Sequence, residues 1–320
     1  MQLNYFNKMS LFIIGSSNTD LVIYLERIPK IGETVIGGES KVVFGGKGAN
    51  QAVASKLAGA DLKFITQLGN DTFGKNLKTY FKGLELEEKY ILTDKNNHSG
   101  IAQIFVSKKG ENSIAVASGS NGTLSFNKLK PFLDEIAKAS LVLIQFEIPM
   151  ETIVSIINFC NKSGVKVLVN PAPAVQLSDD LLKKIWMITP NETELEILTG
   201  VTITDEESIL IAANKILDQG VEHCIVTLGE KGSIWVSSSG SYRYKVPKVK
   251  ALDSTAAGDV FNGYLAYGIT KGFSFKKAIS FSHAAASISV TIKGAQTSIP
   301  SKKDVKLFLK EHQIIEEKII

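Results

Sequence analysis

The sequence contains few of the residues that mark secreted, zinc-binding or membrane-spanning proteins. Two of its 320 residues are cysteine, Cys160 and Cys224, and both lie in apolar segments at a spacing unlike that of metal sites. This scarcity argues against a disulfide framework and predicts a reduced, cytoplasmic protein. No apolar run approaches the roughly 20 residues that a membrane-spanning helix needs, so no membrane partner is expected. The run after Lys8 is too short for a signal peptide and is interpreted as a first strand.

Long stretches of one charge are also absent. The 36 Lys and Arg residues are interspersed with 32 Asp and Glu residues, for a net charge of +4, so no nucleic-acid partner is expected. Hydrophobic residues make up 44% of the chain and charged residues 21%, as in ordinary globular proteins. This length fits one large domain, or a large one with a small one. Residues 1–8 are interpreted as an extension, with Met9 as an alternative start.

Short apolar runs alternate with helical patterns along most of the chain. The predicted strands of this alternation are 11–15, 62–67, 141–146, 165–169, 185–189 and 224–228. The predicted helices are 73–82, 150–163, 206–218, 274–290 and the segment from 302 onward. This order predicts an α/β fold of three layers, α/β/α, with a mostly parallel central sheet. Ligands bind such sheets at the carboxyl ends of the strands.

Further β-type runs outside this alternation predict a second, small sheet. These runs are 21–24, 33–36, 101–106 and 113–117. The last two flank a polar turn that is typical of a hairpin. Segments 20–44 and 100–118 are therefore predicted to form a small β-sheet lid. The chain from 10 to 312 is interpreted as a single domain that carries this lid.

The stretch with the clearest chemistry is Asp253-Ser254-Thr255-Ala256-Ala257-Gly258-Asp259, which an apolar helical pattern follows directly. Small residues permit a tight turn, and Gly258 accepts backbone angles that other residues resist. The free N–H groups at a helix start carry roughly half a positive charge and bind anions. The stretch therefore predicts an anion site, with Asp259 placed at its edge to accept a proton. Taken alone, Asp259 is also an ordinary acid in the first turn of a helix.

A second glycine-rich turn, Gly45-Gly46-Lys47-Gly48-Ala49-Asn50, leads into an alanine-rich helical pattern. Three glycines in four positions after Phe44 allow a ligand to approach the backbone closely, although a purely structural role is equally compatible. The turn matches neither the Walker A spacing nor the dinucleotide fingerprint. A nicotinamide-dependent oxidoreductase would carry that fingerprint after the first strand, where this chain has Gly15-Ser16-Ser17-Asn18.

Taken in order, these two stretches resemble the signature motifs of the ribokinase-like carbohydrate kinases. The resemblance covers roughly residues 10–310 and includes four further stretches: Ser17-Asn18-Thr19-Asp20, Asn170-Pro171-Ala172-Pro173, Thr189-Pro190-Asn191-Glu192-Thr193-Glu194 and Lys293-Gly294-Ala295-Gln296. Members of this family transfer the γ-phosphoryl group of ATP to a sugar hydroxyl. The resemblance implies such a kinase, with D-ribose, phosphorylated at O5, as the expected substrate.

The resemblance also implies roles for individual residues around the late motif. Asp259 matches the family's catalytic base, and Ala256, Ala257 and Gly258 match the anion hole that neutralises the phosphoryl group. Polar groups that suit sugar hydroxyls are implied at Asn18, Asp20, Gly46, Lys47, Asn50 and Glu147, with Asp259 as well. Taken singly, Asn18 and Asp20 would be a strand-end turn, and Glu147 would be a solvated loop acid.

The nucleotide and metal residues are likewise implied by the resemblance. The ATP contacts would be Asn191, Glu194, Thr227, Gly229, Gly232, Gly258 and His283. Glu194 matches a motif that organises Mg²⁺ largely through water. Without the resemblance, Asn191 would be a helix cap and His283 a packed core histidine.

A monovalent cation, K⁺, is implied next to the late motif. Its ligands would be the side chains of Asp253 and Ser298, with backbone carbonyls completing the set at Thr255, Ser289, Ile292 and Gly294. Ile292 stands where the family commonly has arginine. Because the implied ligand is a backbone carbonyl, this departure does not remove it.

Several alternatives stay open at this point. The nearest is another sugar kinase of the superfamily, acting on 2-deoxyribose or fructose, although Asn18 and Asp20 favour a sugar with both C2 and C3 hydroxyls. A nucleoside kinase would need a pocket enlarged in the lid. A sugar-binding regulator without catalysis belongs to a different class, and the intact Gly258 and Asp259 argue against it. The resemblance also suggests a homodimer formed through the lid sheets.

Overall fold

The computed structural model describes residues 10–319, so the predicted extension over residues 1–8 and the alternative start at Met9 lie outside the described residues. In chain order the strands are β1 (Ser10–Ile14), β2 (Asn18–Leu25), β3 (Glu39–Gly45), β4 (Asp61–Gly69), β5 (Ile91–Asp94), β6 (Gly100–Ser107), β7 (Asn112–Ala117), β8 (Leu141–Ile144), β9 (Lys166–Val169), β10 (Met187–Ile188), β11 (His223–Thr227), β12 (Ser233–Ser237), β13 (Gly240–Lys245) and β14 (Ile315–Lys318).

The helices lie between these strands and at the end of the chain. They are α1 (Lys47–Ala58), α2 (Thr72–Gly83), α3 (Phe126–Leu129), α4 (Leu133–Ile136), α5 (Met150–Lys162), α6 (Asp179–Leu182), α7 (Glu192–Thr199), α8 (Glu206–Asp218), α9 (Ala257–Thr270), α10 (Phe275–Ser289) and α11 (Lys302–Glu311). Within residues 10–319, no helix combines the length and the apolar content that crossing a bilayer requires.

Ten strands form one sheet in the order β14-β13-β12-β11-β10-β9-β8-β1-β4-β5. The strands from β11 to β5 run parallel, and β12, β13 and β14 add an antiparallel edge. β1 lies inside the sheet, where Leu11 pairs with Leu62 of β4 and with Leu141 of β8. Because both faces of such parallel strands are buried, β1, β8 and β9 consist largely of apolar residues.

The large sheet separates two apolar cores. On β1, Leu11 and Ile13 face one core while Phe12 and Ile14 face the other, and all four side chains are fully buried. The first core includes side chains of α1, α9 and α10, and the second includes side chains of α5 and α8. Successive strand residues point to opposite faces, so helices cover both faces. The predicted three-layer α/β/α arrangement is confirmed.

The small sheet has the strand order β3-β2-β6-β7. β2 pairs antiparallel with β3 and parallel with β6, and β6 and β7 form the predicted hairpin. Asn18, the first residue of β2, pairs with Gly45 of β3 and with Gly100 of β6. The small sheet therefore starts a few residues beyond the carboxyl end of β1.

One predicted strand is wrong, and several strands were not predicted. Residues 33–36 form no strand, because the chain between β2 and β3 is irregular and β3 begins only at Glu39. Ile36 projects fully into solvent, so the apolar residues behind that prediction belong to no packed face. β3, β5, β12, β13 and β14 were not predicted as strands.

Small residues bring α1 and α9 close together. A Cβ atom on Gly263 of α9 would lie 2.5 Å from Cβ of Ala54 and 2.6 Å from the carbonyl oxygen of Gln51. Ser55 Oγ donates a hydrogen bond of 2.9 Å to the carbonyl oxygen of Gly263. This approach requires glycine at residue 263, and it sets the distance between the helix starts that carry the two signature motifs.

Candidate active site

The carboxyl ends of the parallel strands carry many of the predicted ligand residues. Residues 15–18 follow β1, Glu147 follows β8, Asn170 follows β9, Asn191 follows β10 and Gly229 follows β11. Because parallel strands end at a common edge of the sheet, these segments line one cleft. The starts of α1 and α9 lie at the same cleft.

The glycine turn before α1 packs directly on the chain that leaves β1. A Cβ atom on Gly48 would lie 2.6 Å from the carbonyl carbon of Gly15, and one on Gly46 would lie 2.8 Å from the backbone nitrogen of Asn18. Gly46 also has a φ of +88°, a conformation that favours glycine. The glycines therefore permit close backbone packing, which holds the start of α1 at the edge of the sheet.

Asn18 and Asp20 lie on β2 beside two glycines that leave room for their side chains. A Cβ atom on Gly45 would lie 2.1 Å from Asp20 Oδ2, and one on Gly100 would lie 2.2 Å from Asn18 Oδ1. Asn121 Nδ2 donates to Asn18 Oδ1 at 2.7 Å and so orients that amide. Asp20 Oδ1 is buried without a hydrogen-bond partner among the described residues. A ligand hydroxyl that donates to this oxygen would satisfy it.

Glu147 is a fixed part of the cleft. Ser16 Oγ and the backbone nitrogen of Lys47 both donate to Glu147 Oε2, the second at 3.0 Å. Ser16 Oγ also accepts from the backbone nitrogen of Gly48 at 3.3 Å. These bonds join the end of β8, the end of β1 and the glycine turn. The interpretation of Glu147 as a solvated loop acid is therefore wrong.

Asp259 lies at the start of α9 and is 7% exposed. Its two carboxylate oxygens accept from consecutive residues of α1: Oδ2 from Asn50 Nδ2 and Oδ1 from Gln51 Nε2, both at 2.9 Å. An ionised carboxylate can accept about four hydrogen bonds. Asp259 therefore keeps acceptor capacity for a ligand hydroxyl while its orientation is held.

Three carboxylates, Asp20, Glu147 and Asp259, share the cleft with the ammonium group of Lys47. Burial, together with the charges of Glu147 and Asp259, raises the pKa of Asp20 to about 7. Burial also raises the pKa of Asp259, against the effects of Lys47 and the two amide donors. Burial disfavours the charged form of Lys47, but the attraction of Asp259, Glu147 and Glu194 outweighs it and raises the pKa of Lys47. The cleft therefore combines several hydrogen-bond acceptors with the ammonium group of Lys47, which stays protonated.

The start of α9 offers free hydrogen-bond donors. Ala256, just before the helix, has a φ of +61°, a left-handed conformation that costs a non-glycine residue roughly 1–2 kcal/mol. Among residues 10–319, no backbone carbonyl accepts the N–H of Ala256, Gly258 or Asp259. A Cβ atom on the exposed Gly258 would meet no atom within 4 Å. Such an open helix start suits an anion.

Ala257 differs from its two neighbours in the predicted anion hole. Its backbone nitrogen donates to the carbonyl oxygen of Ser254 at 3.2 Å. This bond closes the tight turn that precedes α9. Among residues 10–319, the N–H groups at this helix start that have no backbone acceptor are therefore those of Ala256, Gly258 and Asp259.

Asp253 ties the loop before α9 to the turn after α10. Its Oδ1 accepts from the backbone nitrogen and the hydroxyl of Thr255 at 2.9 and 2.6 Å, and its Oδ2 accepts from the backbone nitrogen of Gly294 at 2.8 Å. Segments 253–255 and 289–294, which hold five of the six predicted cation ligands, are thus linked directly. The sixth, Ser298, follows in the short helical turn Gln296–Ser298.

Asn191 and Glu194 form a capping box at the start of α7. Asn191 Oδ1 accepts from the backbone nitrogen of Glu194 at 2.7 Å, and Glu194 Oε2 accepts from the backbone nitrogen of Asn191 at 2.9 Å. Burial raises the pKa of Glu194, which also interacts electrostatically with Lys47 and Asp259. Glu194 is therefore part of the same charged cleft, while its second oxygen, Oε1, makes no hydrogen bond within residues 10–319.

The remaining predicted nucleotide residues fall into two groups. Thr227 ends β11, and the exposed Gly229 follows it with a φ of +57° and open space around a Cβ position. A Cβ atom on Gly232, in contrast, would lie 1.8 Å from the carbonyl oxygen of Tyr244. Packing against β13 therefore accounts for Gly232 without a ligand.

His283 lies in the core between α10 and the antiparallel edge of the sheet. It is 5% exposed, and its Nε2 lies 2.7 Å from Ser233 Oγ. Its ring also packs near Phe261 and Tyr244, and burial lowers its pKa to about 3. These contacts account for His283 as a packed histidine, and its contact with a nucleotide stays a prediction.

Four polar residues of the site were not singled out from the sequence. Gln51, Gln145, Gln296 and Asn121 are all buried and hydrogen-bonded to predicted site residues or to each other. Gln51 directly follows the early motif, and Gln296 ends the stretch 293–296. An amide in an otherwise apolar strand, such as Gln145 after β8, was the signal available in the sequence.

The fold and this cleft define a carbohydrate kinase, and comparisons with known proteins agree. The model of the pfkB family carbohydrate kinases matches residues 8–302. A ribokinase of Haemophilus influenzae is 44% identical over 306 residues, covering 95% of this chain and 99% of its own length. A deoxyribokinase of Salmonella typhi is 36% identical over 306 residues, covering 94% and 99%.

Solved structures agree as well. The structure of Arabidopsis thaliana ribokinase complexed with ribose and ATP matches with a TM-score of 0.86 at 32% identity, covering 94% of this chain and 98% of that one. The chain belongs to the pfkB family of carbohydrate kinases. The resemblance drawn from six ordered motifs is therefore confirmed.

Proposed function

We propose that this chain is an ATP-dependent kinase that phosphorylates D-ribose at O5, forming ribose 5-phosphate and ADP. One observation carries the proposal: the Asp259 carboxylate lies among acids suited to sugar hydroxyls and directly follows the free N–H groups of the α9 start. The two tasks of phosphoryl transfer, accepting the hydroxyl proton and neutralising the phosphoryl charge, thus fall to adjacent residues.

In the proposed reaction, O5 of ribose attacks the γ-phosphorus of ATP. The O5–P bond forms, the bond from the γ-phosphorus to the β–γ bridging oxygen breaks, and ADP keeps that oxygen. The hydroxyl proton passes to Asp259. The N–H groups of Ala256 and Gly258 donate to the phosphoryl oxygens as charge develops on them. Ala257 would join them by exchanging its bond to Ser254 for one to the phosphoryl group.

Sugar recognition is proposed for the residues named from the family motifs, which are Asn18, Asp20, Gly46, Lys47, Asn50 and Glu147. Their carboxylates and amides can pair with several hydroxyl groups. A sugar that lacks one hydroxyl would leave a buried acceptor such as Asp20 Oδ1 without a partner, which is penalised strongly. This argument favours ribose over 2-deoxyribose, although a deoxyribokinase is among the similar proteins. The Arabidopsis structure with ribose and ATP supports both proposed substrates.

ATP is proposed to lie along the exposed side of the cleft, against Asn191, Thr227, Gly229 and the start of α9. Gly232 and His283 would support this side from beneath. Within residues 10–319, no cluster of three or more acidic, histidine or cysteine side chains could hold a metal ion alone. Glu194 fits a Mg²⁺ ion that keeps most of its water and is held mainly by the phosphates. Bound Mg²⁺ would neutralise phosphate charge.

A K⁺ ion is proposed at the junction of segments 253–255 and 289–298. The residues fit such an ion, because within residues 10–319 no N–H group donates to the carbonyl oxygens of Thr255, Ile292 or Gly294. Carbonyl oxygens can replace the hydration shell of K⁺, and Asp253, Ser289 and Ser298 complete the proposed set. A cation there would stabilise the loop that leads into α9.

A homodimer through the lid sheets is proposed as the assembly. Apolar side chains of the small sheet project into solvent: Val42 is 64%, Ile114 is 55% and Val116 is 53% exposed. β7, at the edge of this sheet, is exposed at every residue. Covering such a face with a second copy would remove apolar surface and an open strand edge from water. Sedimentation of Val116→Lys against the wild type would test this.

Domain extent and location complete the proposal. The kinase is proposed as a single domain over about residues 10–312, with the lid formed by 20–44 and 100–118. Because the proposed phosphate donor is ATP and both Cys160 and Cys224 are free and buried, we propose a cytoplasmic enzyme.

The test is ADP release from ATP with ribose, 2-deoxyribose, fructose and adenosine, each with and without K⁺. We expect the highest kcat/KM with ribose, a ³¹P signal of ribose 5-phosphate, and activation by K⁺. Asp259→Asn is the matched control for contaminating kinase activity. A preference for 2-deoxyribose or fructose would overturn the substrate. Sugar binding without any turnover would point to a non-catalytic regulator.

A further inference from the structure

Gln51 lies directly behind the proposed catalytic carboxylate. It is 0% exposed, so no sugar or nucleotide in the cleft can touch it. Its Nε2 donates to Asp259 Oδ1 at 2.9 Å, opposite the bond from Asn50 to Oδ2. The consecutive residues Asn50 and Gln51 therefore hold one carboxylate oxygen each. The Asp259 carboxylate cannot rotate about its terminal bond without breaking both hydrogen bonds.

The Gln51 amide is itself held in one orientation. Its second N–H donates to Asn170 Oδ1 at 3.0 Å, and its Oε1 accepts from Gln145 Nε2 at 2.6 Å. Gln51 therefore uses both of its N–H groups and its carbonyl oxygen in side-chain bonds. Reversing the amide would set its oxygen against Asp259 and Asn170 and its NH₂ against the donor Gln145. These bonds therefore fix the Gln51 amide in the orientation that donates to Asp259.

The packing of α1 on α9 explains why these groups meet. Gly263 lies one helical turn after Asp259 on the same face of α9, and Ser55 lies one turn after Gln51 on α1. One turn beyond Gln51 and Asp259, the two helices approach so closely that Gly263 packs directly against Ala54 and Ser55. The close contact one turn away brings Gln51 to within hydrogen-bond distance of Asp259.

We propose that Gln51 is a positioning residue: oriented by Gln145 and Asn170, it holds Oδ1 of Asp259 so that the carboxylate faces the sugar hydroxyl in one fixed rotamer. This inference rests on the proposed role of Asp259 as the base. It extends that role to a residue that touches neither substrate. The Gln51 N–H also favours the ionised carboxylate, which is the form that can accept the hydroxyl proton.

Two nearly isosteric substitutions test the role. Gln51→Met removes the donor, and we expect kcat to fall about tenfold or more while KM for ribose and for ATP changes little. The acid limb of the kcat–pH profile should move up by about one pH unit, since the ionised form loses a donor. Gln51→Glu places a second carboxyl group against Asp259. The two carboxyl groups then share a proton up to a higher pH, so the acid limb should move to a higher pH than in Gln51→Met.

A matched control separates positioning from loss of stability. Gln67 is also buried, at 1% exposed, and its Nε2 donates to Asp94 Oδ2 at 2.9 Å, outside the partners of Asp259. Gln67→Met should lower the melting temperature about as much as Gln51→Met does, without moving the acid limb. An unmoved limb in Gln51→Met, with a kcat loss no greater than that of Gln67→Met, would overturn the proposal.

A second readout does not depend on turnover. In protein labelled with ¹³C at aspartate carboxyl carbons, Asp259→Asn identifies the Asp259 signal, and its titration gives the pKa in the sugar-free enzyme. We expect a higher pKa in Gln51→Met than in the wild type, and an unchanged pKa would contradict the proposal. If the wild type phosphorylates no sugar, the proposed function fails. The titration would still show whether the hydrogen bond from Gln51 lowers the pKa of Asp259. If the wild type is active and neither readout moves, only the positioning role fails.

Discussion

The two sides of the cleft are built in different ways. On the proposed sugar side, Asn18 and Asn50 are buried and receive hydrogen bonds from residues that are 103 and 246 positions away in the chain. On the proposed nucleotide side, Asn191 and Gly258 are exposed, and Asn191 is held by its capping box with Glu194, three residues away. The first side is organised by long-range contacts and the second by local backbone geometry.

This difference suggests how each side works. Buried acids and amides that are fixed before the sugar arrives spend little ordering entropy on binding, so they can discriminate between sugars. Backbone N–H groups at a helix start carry no sequence-specific side chain, and they can serve any phosphoryl group that reaches them. Substitutions on the sugar side should therefore act on folding and on KM for the sugar. Substitutions at the start of α9 should act on kcat.

Asp259→Asn, at the junction of the two sides, should have the largest effect. Asn cannot accept the hydroxyl proton, so we expect kcat to fall by about 10²–10⁴-fold. Nucleotide affinity should stay close to that of the wild type, because the free donors of Ala256 and Gly258 are unchanged. Steady-state turnover and a calorimetric titration with ATP measure the two quantities. Turnover within tenfold of the wild type would remove Asp259 from the role of base.

One glycine from each side gives a matched comparison. Gly258→Ala adds a methyl group in open space, where it meets no protein atom within 4 Å. We expect an equal or slightly higher melting temperature, since alanine suits a helix better than glycine. The methyl group would lie at the proposed phosphoryl site, and kcat should fall by about tenfold to a hundredfold.

Gly45→Ala is the counterpart on the sugar side. Its Cβ atom would lie 2.1 Å from Asp20 Oδ2, so it should destabilise the fold by about 1–3 kcal/mol and raise KM for ribose more than it lowers kcat. Thermal melts and steady-state kinetics of both variants test the pair. The same pattern of stability and kinetics in the two variants would contradict the division of the cleft.

Asn121→Ala should have a smaller effect on catalysis, seen in sugar binding and in stability. Asn121 donates to Asn18 Oδ1 at 2.7 Å and to the carbonyl oxygen of Ser17 at 3.1 Å. Loss of the bond that orients Asn18 costs about 0.5–1.5 kcal/mol, so we expect KM for ribose to rise roughly three- to tenfold. The substitution also removes the bond that Asn121 Oδ1 accepts from the backbone nitrogen of Ser17 at 2.9 Å, so the melting temperature should fall as well. KM for ATP should not change. An equal rise in both KM values would show that Asn121 acts on the fold as a whole.

The pH dependence of stability tests the buried acids without any kinetic readout. The pKa of Asp20 is raised to about 7 in the folded protein, while the unfolded chain titrates near 4. Between these values the folded state holds a proton that the unfolded state has lost, so this group's contribution to stability falls as pH rises from about 4 to 7. Below and above that window the contribution is constant.

Asp20→Asn removes this contribution. The difference in melting temperature, variant minus wild type, should grow by about 5 °C between pH 5 and pH 8. Calorimetric melts over this range measure the difference. Parallel melting curves for the two proteins would mean that Asp20 titrates near its ordinary pKa, and the buried acids would then lack the mutual repulsion inferred from the structure.

Much of the fold could be predicted because its signals are local. The parallel strands β1, β8 and β9 are largely apolar runs, and α8 was predicted with its observed bounds. The antiparallel edge was missed because β12 and β13 are joined through Ser237-Ser238-Ser239-Gly240 and carry many polar residues. Segment 33–36 was mistaken for a strand because short mixed runs look alike whether or not a neighbouring strand pairs with them.

The site could be predicted only as far as its motifs extend. The two glycine-rich stretches place Asp259, Asn50 and Lys47, but no spacing in the chain relates Gln145 or Asn121 to them. Those contacts depend on the order of strands in the sheet and on the packing of α1 against α9. The predictions for Glu194 and Asp253 still depend on ligands that the protein must bind.

The central claim is that the α9 start neutralises the phosphoryl group while Asp259 accepts the sugar proton. A crystal structure with ribose, ADP, Mg²⁺ and aluminium fluoride tests it most directly. We expect the fluoride group to accept from the Gly258 N–H, and a carboxylate oxygen of Asp259 to lie about 2.6–3.2 Å from O5. A fluoride group bound away from α9, or a ribose O5 out of reach of Asp259, would contradict the account.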